Sequence, residues 1–357
     1  MSRKLITIST IMTLMSTSVI ADVPNVAADI APIHSLVSRV MDGVGAPKLI
    51  VQSGASPHGY RLRPSEAKAL QDADHVFWMG EELTPWLDSA IGTLASKASV
   101  TTLLDQQGVI LHDFREGALF EAHDHSAHGD DDHDDHDDHD DHDDHKDHDD
   151  HDDHDDHDDH DDHDDHDDHD DHKDHDDHDD HDDHNDHGSH DPHAWLSPEN
   201  AKFWLNIIAS KLSVSDPENA ATYFMNAAAG QVEIDAMIAE VKATLKPVQG
   251  GKFVVFHDAY QYFENDFGFY ASGAISLGDA SDPSPARIEK VQKRIRDEGI
   301  QCVLAELQFK KGLVATVLEG SDATASVIDP LGVELETGPK LYTRLIKNMA
   351  KTLRSCL

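Results

Sequence analysis

Apolar and polar positions along this chain fall into short blocks whose period switches repeatedly between 2 and 3.6 residues. Residues 24–33, PNVAADIAPI, read as a strand and residues 36–45, LVSRVMDGVG, as a helix closed by glycine. PKLIVQS (47–53) is a second strand, running into the loop GASPHGYRLRP. SEAKALQDA (65–73) is a helix, HVFWMG (75–80) a strand, PWLDSAIGTLA (85–95) a helix and SVTTLL (99–104) a strand. Strands alternating with helices at this spacing predict a parallel sheet of the α/β class.

The same alternation returns after residue 193. HAWLSPENAKFWLNIIASKL carries an N-cap serine at Ser197 and a proline, Pro198, at the first helical position. A further helix opens at Asp216-Pro217 and meets no proline until about Lys246. Some thirty residues at ~1.5 Å each predict a rod near ~45 Å, longer than a crossover helix needs and suited to joining two lobes. Then come a strand GKFVVFH (251–257), a strand over Tyr270 to Leu277 and a helix from Ser284 to Gly299. IQCVLAEL (300–307) and ASVIDPL (325–331) are strands, and PKLYTRLIKNMAKTLRSC (339–356) is a final helix.

The block pattern stops between Ala127 and Ala194, where no apolar residue occurs. Here Asp-Asp-His repeats, with histidine at every third position from His133 through His136, His139 and His142 to His193. A segment that buries no apolar surface cannot offset its ordering entropy, so a disordered loop over 122–191 is expected. Of the 29 histidines, 24 lie between 123 and 193; that stretch also holds 38 aspartates and 2 lysines and so carries −36 of the formal charge of −43. The remaining −7 is ordinary for a soluble protein, and the acidity disfavours nucleic acid. Imidazole with carboxylate is metal-ligand chemistry, and zinc is the metal this mixture suits.

The start of the chain, residues 1–21, has Arg3 and Lys4 before an apolar stretch that ends in Val19-Ile20-Ala21. That is the layout of a cleavable signal peptide, and it predicts export to the periplasm. An uncleaved anchor is the other reading, weakened by the Ser and Thr within the stretch. The two cysteines, Cys302 and Cys356, are either a disulfide or two free thiols; an exported chain favours the bridge. Two lobes and a linker are expected: 22–215, an α/β lobe interrupted by the acidic loop; 216–247, the linking helix; and 248–357, a second α/β lobe.

Sites of parallel sheets form at the carboxyl ends of strands. His58 follows the second strand, His257 ends GKFVVFH, Asp329 ends ASVID, and His193 precedes the Ser197 cap. Each has a plainer reading. A strand-end histidine also serves as a hydrogen-bonded loop residue, His193 also fits as the last repeat unit, and Asp-Pro also initiates turns. The coincidence of such positions in two lobes of an exported chain argues for metal. His34, His75 and His112 lack that placement and read as structural.

The stretches GASPHGYRLRPSEAKALQDAD, HAWLSPENA, VFHDAYQYF, AELQF and IDPLG, together with the acidic histidine-rich loop between the first two, resemble the ZnuA-like periplasmic binding proteins of bacterial zinc ABC transporters. The resemblance covers residues 22–357 outside the loop. It implies two α/β lobes on a long rigid helix, with the metal site where the lobes meet. It implies that His58, His193 and His257 bind Zn(II), with Asp329 a possible fourth ligand or water in its place. It also implies a Cys302–Cys356 disulfide. In manganese-type relatives the position of His257 is a glutamate. Some zinc members carry an acidic residue before the first ligand, where this chain has Pro57. The implied function is zinc capture and delivery to a membrane permease with its ATPase, by a monomer, with the loop as a low-affinity zinc-gathering or sensing segment. A periplasmic zinc buffer or metallochaperone without a permease is the alternative. A zinc hydrolase, with Glu306 as the tempting base, lacks a nucleophile motif or His-Glu-x-x-His helix, so the chain does not read as an enzyme.

Overall fold

The computed structural model describes residues 23–115, 120, 190–276, 283–307 and 311–357. The expected signal peptide and nearly all of the Asp-Asp-His run lie outside the described residues. In the first half β1 (Val26–Ala28), α1 (Ala31–Val40), β2 (Lys48–Leu49), α2 (Pro64–Gln71), β3 (His75–Trp78), α3 (Pro85–Leu94) and β4 (Ser99–Thr102) follow one another. Two long helices come next, α4 (Pro198–Ser215) and α5 (Ala220–Leu245). The second half runs β5 (Phe253–His257), α6 (Gln261–Phe267), β6 (Ala274–Ser276), α7 (Pro285–Glu298), β7 (Cys302–Ala305), α8 (Lys311–Leu318), β8 (Thr324–Val327) and α9 (Leu341–Cys356).

Both sheets are four-stranded with every pairing parallel, in the orders β2-β1-β3-β4 and β6-β5-β7-β8. The first strand of each half thus sits inside its sheet, with the chain stepping to one side and then the other. That reversal opens a crevice beyond the carboxyl ends of β1 and β5. Strands with helices on both faces must be apolar on both faces. β5 obeys: Phe253 and Val255 face the shared core, while Val254 and Phe256 face a cluster with Ile275, Val291 and Val303. The shared core is continuous from Phe77 in the first sheet through Trp204, Tyr223 and Ile234 of α4 and α5 to Leu304 and Leu345 in the second half.

Several boundaries differ from the sequence reading. The first strand is three residues long and α1 begins at Ala31, five residues early, because the Asp29 side chain accepts from Ile30 N (2.7 Å) and Pro32 fits the first turn. The second strand is only two residues. The long helix starts at Ala220 and not at Asp216-Pro217: Asp216 caps the end of α4, and its carboxylate accepts from Asn219 Nδ2 and Tyr223 Oη. Its 26 residues span about 39 Å. The helix lies along α4 and α1 on one side and α9 on the other, connecting the two halves. Two helices, α6 and α8, had no counterpart in the sequence reading. The caps of α4 and α7 are as expected, with Ser197 accepting from Asn200 N, Ser284 from Arg287 N, and Gly299 left-handed at φ 63°. Cys302 at the head of β7 is bonded to Cys356 at the end of α9.

Candidate metal centre

His58 lies in the loop between β2 and α2. Its position is set by neighbours: Trp86 Nε1 donates to Pro57 O (2.7 Å), and Ser56 Oγ accepts from His58 N (3.3 Å). The loop closes on Glu66, buried in α2, which accepts from Tyr60 Oη and Arg63 N, both at 2.8 Å. His193 stands immediately before a tight turn, Ala194–Leu196. That turn is pinned to the second half by Trp195 Nε1 donating to Pro330 O (2.9 Å) and by Tyr342 Oη of α9 donating to Trp195 O (2.9 Å). His257 is the last residue of β5, at the strand-end crevice.

The structure brings these three imidazoles together from both halves, with one ring nitrogen of each within 4.8 Å of the others. His193 and His257 are almost fully buried and His58 half-buried. His193 Nδ1 donates to Asp191 Oδ1 (2.6 Å) and His257 Nδ1 to Glu306 Oε1 (2.7 Å). An ionised carboxylate only accepts, so each Nδ1 is the donor, and in the neutral ring Nε2 is left with a lone pair for a metal. These two Nε2 atoms are 3.2 Å apart. A tetrahedral ion with Zn–N bonds of 2.0–2.1 Å has ligand–ligand edges of about 3.3 Å. Two lone pairs facing at that distance fit a shared cation, and the carboxylates behind them fix ring orientation and raise ligand basicity. The pocket between Pro57, the three histidines, Trp195 and Leu331 leaves about 10 Å³ open to the centre of a water-sized body, enough for one ion or one water.

Asp329 is not brought into this cluster. It lies two residues beyond β8, and its carboxylate is turned onto the following turn, accepting from Leu331 N (3.0 Å), Gly332 N (2.8 Å) and Val333 N (2.6 Å). Glu306 is the partner of His257 and also accepts from Tyr260 Oη (2.9 Å). His34, His75 and His112 stand elsewhere. His34 bonds Pro47 O, His75 bonds Ser215 Oγ, and His112 packs on Tyr262 beside Asn265. Burial pushes the first two below the ordinary imidazole range. Of the tract histidines, His133, His136, His139 and His142 lie outside the described residues. His190 is described, paired antiparallel with Asp113, and His190 and Asp191 both fall inside the stretch 122–191 expected to be disordered. Asp191 was overlooked in the sequence because it looks like one more repeat unit; its spacing of two from His193 was the available signal.

Two parallel α/β halves on a long helix, with three imidazoles converging between them, define a metal-binding protein with the fold of periplasmic substrate-binding proteins. Solved structures share that fold: one of ZnuA (TM-score 0.65, 18% identity, 94% of this chain and 99% of that one) and one of AdcAII from Streptococcus pneumoniae (TM-score 0.64, 18%, 94% and 98%). Residues 26–356 match the family described as ZnuA, zinc-uptake complex component A, periplasmic, and the chain belongs to that family. The high-affinity zinc uptake system protein ZnuA of Brucella abortus (strain 2308) is 47% identical over 332 residues, covering 93% of this chain and 91% of its own. That of Paracoccus denitrificans is 44% identical over 338 residues, covering 94% and 93%.

Proposed function

We infer that this chain captures Zn(II) in the periplasm with high affinity and hands it to the permease of an ABC transporter driven by its ATPase. The observation that carries the metal reading is the 3.2 Å approach of two Nε2 lone pairs, each ring backed by a carboxylate. His58, His193 and His257 are the ligands. A nitrogen-rich, borderline-soft set of this kind suits zinc over manganese, which prefers more oxygen. Asp329 already serves three backbone N–H groups, so water is the favoured fourth ligand and the carboxylate the competing one. The lobes are 22–215 and 248–357, linked by 216–247, and the protein works as a monomer. No catalytic role is assigned: Glu306, the carboxylate behind His257, is buried and engaged by His257 and Tyr260.

The Asp-Asp-His run supplies weak, redundant sites that raise local zinc concentration beside the triad. Its histidines bind only when neutral, so this gathering weakens as acid protonates them. A solved ZnuA deletion mutant has zinc bound. For this chain, a variant lacking residues 123–187 is expected to keep one tight zinc site in calorimetric titration and to lose the weak ones. Loss of the tight site on that deletion would sink the division of labour.

A further inference from the structure

Arg115 stands on the last described stretch before the acidic run. That stretch, 109–115, runs beside the chain returning from the run. Asp113 bridges His190, and Asp191 N donates to His112 O (2.8 Å). Tyr262 of α6 joins both strands, its hydroxyl accepting from His112 N (3.0 Å) and donating to Asp191 O (2.8 Å). From this paired base the Arg115 guanidinium reaches into the second half. Nε donates to both oxygens of Asp258 (3.1 Å each), Nη1 to Glu264 Oε2 (2.6 Å), and Nη2 to Asp258 Oδ1 and Glu264 Oε1. The guanidinium carbon also lies 3.7 Å from the centre of the Phe120 ring.

The placement of these partners is specific. Asp258 follows His257, and Glu264 lies on α6, the helix that β5 leads into. Asp191, on the paired base, is the carboxylate that holds His193. One guanidinium therefore ties the segment carrying His193 to the segment carrying His257. Asp258 and Glu264 are nearly fully buried, and burial of two carboxylates on one cation holds both above their ordinary range. Two buried carboxylates on a partly buried guanidinium are a poor way to gain stability, since an apolar trio of similar volume commonly does as well. Their fork-and-carboxylate geometry instead sets direction and distance, which is what a metal site needs.

We propose that Arg115 is a positioning residue for the metal site, fixing His193 against His257 at ligand spacing by clamping Asp258 and Glu264 to the base of the acidic run. The proposal rests on the reading that the three histidines bind zinc. Its test uses the full chain with one equivalent of metal. Zinc affinity is measured by chelator competition, geometry by the d–d absorption of Co(II), and folding by thermal melting, in Arg115→Met, Arg115→Lys and Glu264→Gln. Expected for Arg115→Met is a loss of tight-site affinity on the order of 10- to 100-fold, as for other residues that orient metal ligands, with an altered Co(II) band. Arg115→Lys restores part of it, because a point charge replaces a planar fork. Glu264→Gln gives a smaller loss in the same direction, and it carries the test if Arg115→Met does not fold.

Unchanged affinity and Co(II) spectrum with a lowered melting temperature would reduce Arg115 to a structural residue. Tighter zinc binding would also overturn the proposal, because removing a cation beside a divalent ion strengthens binding if charge alone matters. Failure of the underlying reading is separately visible: the tight site would then survive His58→Ala, His193→Ala and His257→Ala.

Discussion

Asp29 follows β1 directly and is fully buried, at the crevice of the first sheet. Its carboxylate accepts from Ile30 N and Met79 N, both at 2.7 Å, and so joins β1 to the end of β3. Burial outweighs those two donors and pushes its pKa up to about 7. The unfolded chain releases this proton near pH 4. Between about pH 4 and 7 the folded state therefore holds a proton that the unfolded state has lost, and stability falls as pH rises through that window, levelling above it. Denaturant unfolding of the zinc-free protein across pH 4.5–8 should show the stability of Asp29→Asn, relative to the parent, rising through that window. A difference that stays flat with pH would contradict the assignment. The three histidines were legible in sequence because strand ends and a helix cap are local signals. Glu306 and Asp191 as their partners were not. Glu306 is 49 residues from His257 and meets it only through the pairing of β5 with β7, and Asp191 is masked by composition. Asp329 reads as the end of a strand but lies two residues beyond β8, and nothing local reveals that its oxygens turn onto the loop.

At the scale of elements, α5 approaches α4 and α1 closely at Gly230, where a Cβ would lie 2.9 Å from Leu205 Cδ1 and 3.2 Å from Arg39 Cγ. Arg39 also donates from Nε and Nη2 to Glu233, one turn further along α5. A larger side chain there must displace the buried Leu205 side chain and Arg39, or push the helices apart. Gly230→Leu is expected to destabilise by roughly 1–3 kcal/mol, as overpacking does, read as a lower urea midpoint; an unchanged or higher midpoint would show that the approach is not tight. Helices with a serine cap, α4 and α7, or a clean apolar stripe, α9, were readable from the chain. Short α6 was not: it is under two turns long, and Glu264 is buried together with Tyr262, Phe263 and Phe267, so polarity does not track its buried face. That helix nevertheless grips the other half, through Tyr262, Glu264, Asn265 and the Asp266 carboxylate that accepts from Ser197 Oγ.

Across the whole molecule, two sheets with the same strand order share one core along a single long helix, and their crevices meet over one small pocket. The α/β alternation made that architecture legible, because parallel strands buried on both faces leave few other solutions. The meeting of His58 with His257 was legible only through family resemblance, since no local pattern places two loops from separate sheets together. The Asp-Asp-His run, the loudest signal in the sequence, contributes its last histidine, His193, and the Asp191 carboxylate behind it to the described site. The central claim is that selective zinc capture rests on three single histidines and not on the run. Zinc competition on the full chain against a triple His58→Ala, His193→Ala, His257→Ala variant tests it most directly. The account predicts that the variant loses one tight site and keeps the many weak ones; a tight site surviving in the triple variant would contradict it.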